Sequence, residues 1–137
     1  MFDLILCVDD DPITLMLSKM VIERCSFSKE IVTAQNGEEA LNYFDDLLLN
    51  NLGAEIKRYP TLIFLDLNMP IMGGWEFLDL FSKTEYVSNF EMTKVIVLSS
   101  TIDPSDIEKS KKYPMVFDFV SKPITKTLLE DLKIKLA

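Results

Sequence analysis

The sequence predicts an α/β fold, a doubly wound five-stranded parallel sheet with five helices packed on its two faces. Three observations predict it. Five short apolar runs alternate with helical patterns along the 137 residues. Three of those runs are almost continuously apolar and rich in branched side chains, as in strands covered on both faces. Most of the helical patterns open on a cap signal, an Asp, Asn or Thr just ahead of the first helical turn. Strand–helix alternation of this kind, with right-handed crossovers, allows few topologies other than helices on both faces of a parallel sheet. The length favours a single domain over residues 1–137.

The first strand is LILCV, residues 4–8. Asp11 then caps a helix with Pro12 at its first position, running to about Arg24. Its expected inward face is Ile13, Met16, Leu17, Met20 and Val21. The second strand is EIVTA, residues 30–34, and Asn36-Gly37 leads into a helix from Glu38 to about Leu49. TLIFLD, residues 61–66, is the third strand, and Gly74 precedes a helix carrying Trp75, Leu78 and Phe81. KVIVLS, residues 94–99, is the fourth. Asp103-Pro104 opens a short polar helix around Ile107. MVFDFVS, residues 115–121, is the fifth strand, and Thr125 opens a last helix with Leu128, Leu129, Leu132 and Leu136 inward. Two connections, about 50–60 and 82–93, are longer than usual. The last helix runs to the end of the chain, so no output domain is expected after it.

Composition excludes several function classes. There are 22 acids against 14 bases, a net charge of -8, the wrong sign for direct binding of nucleic acid or an anionic membrane. No run is long enough to span a membrane and no signal peptide is expected, so the expected location is the cytoplasm. Cys7 and Cys25 suggest packing roles in a reducing compartment. The chain has no histidine. Ser-His-Asp and Cys-His nucleophile chemistry is therefore excluded, as are the usual histidine-containing zinc sites.

The charged residues gather at strand ends. In a doubly wound sheet, ligands bind beyond the carboxyl ends of the strands. The first strand ends at Asp9-Asp10, the third at Asp66, the fourth at Ser99-Ser100 and the fifth at Ser121-Lys122-Pro123. The second ends at Gln35-Asn36, too far to one side. Taken singly, an acid pair is a helix cap, an Asp or Lys-Pro is a turn, and a Ser pair is a cap. Together at four ends of one sheet they form a pocket. Asp9, Asp10 and Asp66 need counter-charge to stay ionised. Lys122 and a divalent ion would supply it, and an oxygen-only site suits Mg²⁺. The Ser99 hydroxyl and the Lys122 ammonium, aimed at such a site, offer what a phosphoryl group needs during in-line transfer.

With VDDDP, FLDLNMPIMGG, VIVLSS and FVSKP in that order, nearly the whole chain resembles a response-regulator receiver domain of two-component signalling, with a flavodoxin-like, CheY-like fold of strand order 2-1-3-4-5. The resemblance implies that Asp66 accepts a phosphoryl group from a histidine kinase or histidine phosphotransfer protein. It implies that Mg²⁺ is held by Asp10 directly, by Asp9 through water, by Asp66 and by the Asn68 backbone carbonyl. Ser99 and Lys122 would contact the phosphoryl group, and Phe119 would be the switch aromatic. A cis bond between Lys122 and Pro123 is implied too. The output would be a protein-binding face formed by the helix around Ile107, the fifth strand and the last helix, open to a partner or to a second copy on phosphorylation. Such a domain assists its own phosphorylation and dephosphorylation and is not a turnover enzyme. Departures from the family pattern are Ser100 after the switch hydroxyl, Gly73 in the loop after the acceptor, Phe119 in place of tyrosine, and Tyr113-Pro114 before the fifth strand. A haloacid-dehalogenase-like phosphatase using Asp66 as nucleophile is the alternative. Its second acid would fall at Asn68, which transfers no proton.

Overall fold

The computed structural model describes residues 1–137. Its strands are β1 (Phe2–Val8), β2 (Ser28–Ala34), β3 (Leu62–Asp66), β4 (Lys94–Ser99) and β5 (Val116–Ser121). Its helices are α1 (Pro12–Arg24), α2 (Gly37–Asn50), α3 (Gly74–Phe81), α4 (Thr84–Val87), α5 (Pro104–Ser110) and α6 (Lys126–Lys135). The sheet order is β2-β1-β3-β4-β5 with every pair parallel, as expected. The branched runs are central because both their faces are covered, and all five residues of β3 are buried.

Two apolar layers sandwich the sheet. One joins α2, α3 and the 82–93 connection to alternate residues of the strands, including Leu6, Ile63, Leu65, Val95 and Val97. The other joins α1 and α6 to Ile5, Cys7, Phe64, Ile96 and Leu98. The alternation along each strand is the two-residue period of the pleat. Leu129 and Leu132 of α6 are fully buried, with Leu128 and Leu136 packed at the rim, in keeping with the expected inward face. Both cysteines are free, and burial pushes the Cys7 thiol up to about 12.

The structure corrects two expectations. There are six helices, not five. The extra one, α4, is a four-residue turn inside the long 82–93 connection. It forms because Tyr86 and Phe90 are buried against Phe44 and Phe81, with the Phe44 and Phe90 centroids 4.8 Å apart. The expected output face is therefore α5–β5–α6 in the numbering used here. The second correction is the face of α1. Ile13, Met16, Leu17 and Met20 are 63%, 55%, 53% and 39% exposed, and Leu15, Ser18 and Ile22 are buried instead. Val21 alone of the expected set packs on the core. Residues 13, 15, 16, 17, 20, 21 and 22 are all apolar, so the helical period does not select one side. The side that docks is chosen by the helix's position over β1.

Candidate functional site

Three strand ends deliver the charged residues to one place. The Asp9 amide donates to the Ala34 carbonyl at 3.0 Å, continuing the β1–β2 ladder one residue past β1. Asp9 is thereby carried under the rim, 4% exposed, while Asp10 turns outward and is exposed. Asp11 leaves the cluster to cap α1. Its carboxylate accepts from the Ile13 amide at 3.0 Å and the Thr14 hydroxyl at 2.9 Å, and these bonds hold its carboxyl below the usual range. The triple acid thus divides into a buried residue, an exposed one and a cap.

Asp66 is the last residue of β3 and is 7% exposed. Each carboxylate of Asp9, Asp10 and Asp66 offers an oxygen within 4.8 Å of the others, a spacing a single divalent cation can bridge. Lys122 reaches this cluster from the end of β5. Its ammonium lies 2.6 Å from Asp9 Oδ2 and 3.3 Å from Asp66 Oδ1. The Lys122 amide donates to the Ser99 carbonyl at 2.8 Å, which ties the stem of that side chain to β4. The Lys122–Pro123 peptide is cis.

The charges perturb one another. Burial pushes the Asp66 carboxyl above its ordinary value, Lys122 pulls it back, and Asp9 adds to the rise. Burial alone would lower the Lys122 ammonium. The hydrogen bond to Asp9 and the charges of Asp66 and Asp9 outweigh it and leave Lys122 above its ordinary value. One cation among three carboxylates leaves a net deficit of positive charge, and a divalent ion would remove it. The donor set is hard oxygen only. Asp10 is open to solvent, so waters could complete an octahedron there, which fits Mg²⁺. The Asn68 carbonyl, two residues past Asp66, accepts no backbone hydrogen bond and is free to join.

The loop after Asp66 is built by close approach. A Cβ on Gly74 would meet the Asp66 carbonyl oxygen at 2.6 Å and Leu67 Cα at 2.9 Å, so only glycine lets α3 start directly beneath the end of β3. The Gly74 amide donates back to the Leu67 carbonyl at 2.9 Å. From the other side, the Gly37 amide donates to the Met72 carbonyl at 2.8 Å, so the start of α2 braces the same loop. Between these anchors Ile71 has φ 69°, unusual for a β-branched residue, with the Met72 amide bonded to the Pro70 carbonyl in a γ-turn. The Ile71 side chain is exposed. The two Gly residues of IMGG signal a tight loop in the sequence, and their close contacts are with Asp66, Leu67 and Met69 at the start of that same loop.

Ser99 closes the site from β4. It is buried, and its hydroxyl donates to the Thr101 carbonyl at 2.6 Å while the Thr101 amide donates to Ser99 Oγ at 3.3 Å. The hydroxyl hydrogen is therefore committed within its own turn. Phe119 is half-buried on β5 against the first core layer. Val97 pairs with Phe119 and Ser99 with Ser121, so Ser99 and Phe119 stand on one face of the sheet, diagonal across two strands. Ser100 faces the other way, into a groove of about 490 Å³ between α1 and the Lys122–Ile124 segment, which the exposed Leu17 and Met20 also line. The sequence reading missed this groove because it placed those α1 residues in the core. Asn36 caps α2 from the Glu39 amide at 2.9 Å and takes no part in the pocket.

The fold thus carries an acidic pocket at the ends of β1 and β3 with a lysine reaching it from β5, at the strand ends where the sequence placed them. The response regulator receiver domain model matches residues 5–133, and the chain belongs to that family. It is 32% identical over 135 residues to the Arabidopsis thaliana two-component response regulator ARR17, covering 96% of this chain and 83% of that protein. It is 31% identical over 134 residues to a Myxococcus xanthus protein-glutamate methylesterase/protein-glutamine glutaminase, but spans only 34% of that protein's length. The crystal structure of a two-component response regulator from Cytophaga hutchinsonii superimposes with a TM-score of 0.83 at 33% identity, covering 98% of this chain and 96% of the other. These matches favour a receiver over the phosphatase alternative. No helix is long and apolar enough to cross a membrane.

Proposed function

We propose that the chain is a phosphorylation-dependent binding switch with Asp66 as phosphoacceptor. The observation that carries this is Lys122, whose ammonium bridges Asp9 and Asp66 in a pocket where three carboxylates lie within 4.8 Å. Membership of the receiver family points to a phosphohistidine of a kinase or phosphotransfer protein as the donor, and the 137 residues contain no histidine that could carry the group themselves. A carboxylate oxygen of Asp66 forms the P–O bond as the donor's P–N bond breaks, and that electron pair leaves with the imidazole. Burial makes the Asp66 oxygen a stronger nucleophile, while Lys122 keeps it ionised and then pairs with the phosphoryl oxygens. Asp9, Asp10, Asp66 and the Asn68 carbonyl would hold Mg²⁺, which when bound would neutralise charge on the transferring group. The exposed stripe of α1 and the groove beside Lys122 offer the donor an apolar docking surface next to the acceptor.

The switch follows from Ser99. New phosphoryl oxygens on Asp66 compete for its hydroxyl, which must leave the Thr101 carbonyl to reach them. That motion draws the 99–101 turn inward and opens space on the face of the sheet where Phe119 is half-buried. A void there forfeits dispersion contacts that an inward ring restores. The altered face is α5–β5–α6, where a downstream protein or a second copy docks. Incubation with Mg²⁺ and acetyl phosphate tests the acceptor. The wild-type chain should gain one phosphoryl group by mass and Asp66→Asn none. Uptake by Asp66→Asn at the wild-type rate would refute the assignment.

A further inference from the structure

On the same side of the sheet as Phe119, four residues form a chain of contacts that the switch described above does not use. Trp75, at the start of α3, stacks on Tyr113 in the connection from α5 to β5, with ring centroids 5.9 Å apart and planes 24° from parallel. Lys109, near the end of α5, places its ammonium 4.6 Å from the centroid of the Trp75 ring. The Tyr113 hydroxyl donates to Asp79, one helical turn beyond Trp75 on α3. Both rings are half-buried against the core layer on which Phe119 also packs.

Apart from its packing on β5, where Ile107 is half-buried, α5 has little else to hold it. It is seven residues long and only Ser110 is buried. Its N-cap is Asp103, two residues past the Ser99–Thr101 turn. Its C-terminal end is the part attached to α3 through Lys109 and, just beyond it, Tyr113. The helix is therefore tied at one end to the switch turn and at the other to Trp75.

We propose that the Lys109–Trp75–Tyr113–Asp79 clamp holds α5 in its unphosphorylated position and so sets how readily the domain takes the phosphorylated conformation. The inference rests on the reading that phosphorylation of Asp66 draws Ser99 inward. That travel pulls α5 at its N-terminal end against the clamp at its C-terminal end. A contact made in one conformation only shifts the equilibrium by its own free energy. A cation over an indole at an exposed position corresponds to a change of about 2- to 5-fold. Lys109 and Tyr113 are positioning residues and touch no reacting atom.

The test is a titration of the whole chain with beryllofluoride and Mg²⁺ as the phosphoryl mimic. The midpoint is read both from the fluorescence of Trp75, the chain's one tryptophan, and from thermal stabilisation. Lys109→Ala should saturate at a concentration about 2- to 5-fold lower than wild type, and Lys109→Arg, which keeps a cation over the ring, should restore the wild-type midpoint. Tyr113→Phe keeps the stack, loses the bond to Asp79, and should move the midpoint the same way by less. A merely structural Lys109 would lower the melting temperature without lowering the midpoint. An unchanged or higher midpoint in Lys109→Ala, or failure of Arg to restore it, overturns the clamp. If wild type itself gives no saturable response, the phosphoacceptor reading fails and the clamp with it.

Discussion

Replacing Lys122 by Met removes the one cation from the acidic pocket, and the consequence for stability depends on pH. The ammonium lies 2.6 Å from Asp9 and 3.3 Å from Asp66, and both acids are buried. Stranding a buried charge by deleting its partner costs about 3–5 kcal/mol. Lys122 keeps about a fifth of its side-chain surface in solvent, which places the loss at the lower end, ~3 kcal/mol. The variant can escape by protonating one acid. From an ordinary carboxyl value of 3.8, protonation costs ~4.4 kcal/mol at pH 7 but only ~1.6 kcal/mol at pH 5. At pH 7 ionised repulsion is the cheaper state, so the full ~3 kcal/mol is lost. At pH 5 protonation is cheaper and caps the loss near ~1.6 kcal/mol. The direction agrees with linkage. A carboxyl raised in the folded state binds more protons there than in the unfolded chain, so stability falls as pH rises through the raised value. Urea unfolding of wild type and Lys122→Met at both pH values, without divalent ion, measures the two losses. Equal losses at pH 5 and pH 7, or a loss below about 1 kcal/mol at pH 7, would refute the argument.

Two further outcomes follow from the same geometry. Asp10→Ala removes the solvent-facing carboxylate of the three, so Mg²⁺ should raise its melting temperature much less than that of wild type; an equal Mg²⁺-dependent shift in calorimetry would remove Asp10 from the ligand set. Gly74→Ala places a methyl 2.6 Å from the Asp66 carbonyl oxygen and 2.9 Å from Leu67 Cα, both backbone, and should cost about 1–3 kcal/mol while slowing phosphoryl uptake from acetyl phosphate; denaturant midpoints and mass spectrometry read the two effects, and a variant as stable and as fast as wild type would show the loop is not held by this contact.

Much of the site was legible in the sequence because its residues occupy strand ends. β4 begins and ends where expected, at Lys94 and Ser99, since branched apolar side chains report a doubly covered strand without reference to anything else. The carboxyl ends of β1, β3, β4 and β5 then bring Asp9, Asp66, Ser99 and Lys122 together by topology alone. The division of the triple acid was half legible. Asp11 reads as a cap from Pro12, whereas the burial of Asp9 and exposure of Asp10 come from one added ladder bond to Ala34. The 82–93 connection showed its length but not α4, because a single turn held by Tyr86 and Phe90 takes its stability from Phe44 and Phe81 rather than from local propensity.

The sequence by itself determined the order of the five strands and of the five helices other than α4, the lack of any histidine among the 137 residues and the convergence of three acids with one lysine. These follow from side-chain period and from the rule that strand ends in such a sheet share a rim. Only the tertiary structure decided which side of α1 is buried, that Ser99 spends its hydrogen bond on Thr101, and that Trp75 lies between Lys109 and Tyr113. α1 is apolar on nearly every side, so its own period is silent, and the choice belongs to the surface it docks on. The other two contacts depend on angles and distances between elements, set when helices settle on the sheet, and no local pattern of residues encodes them.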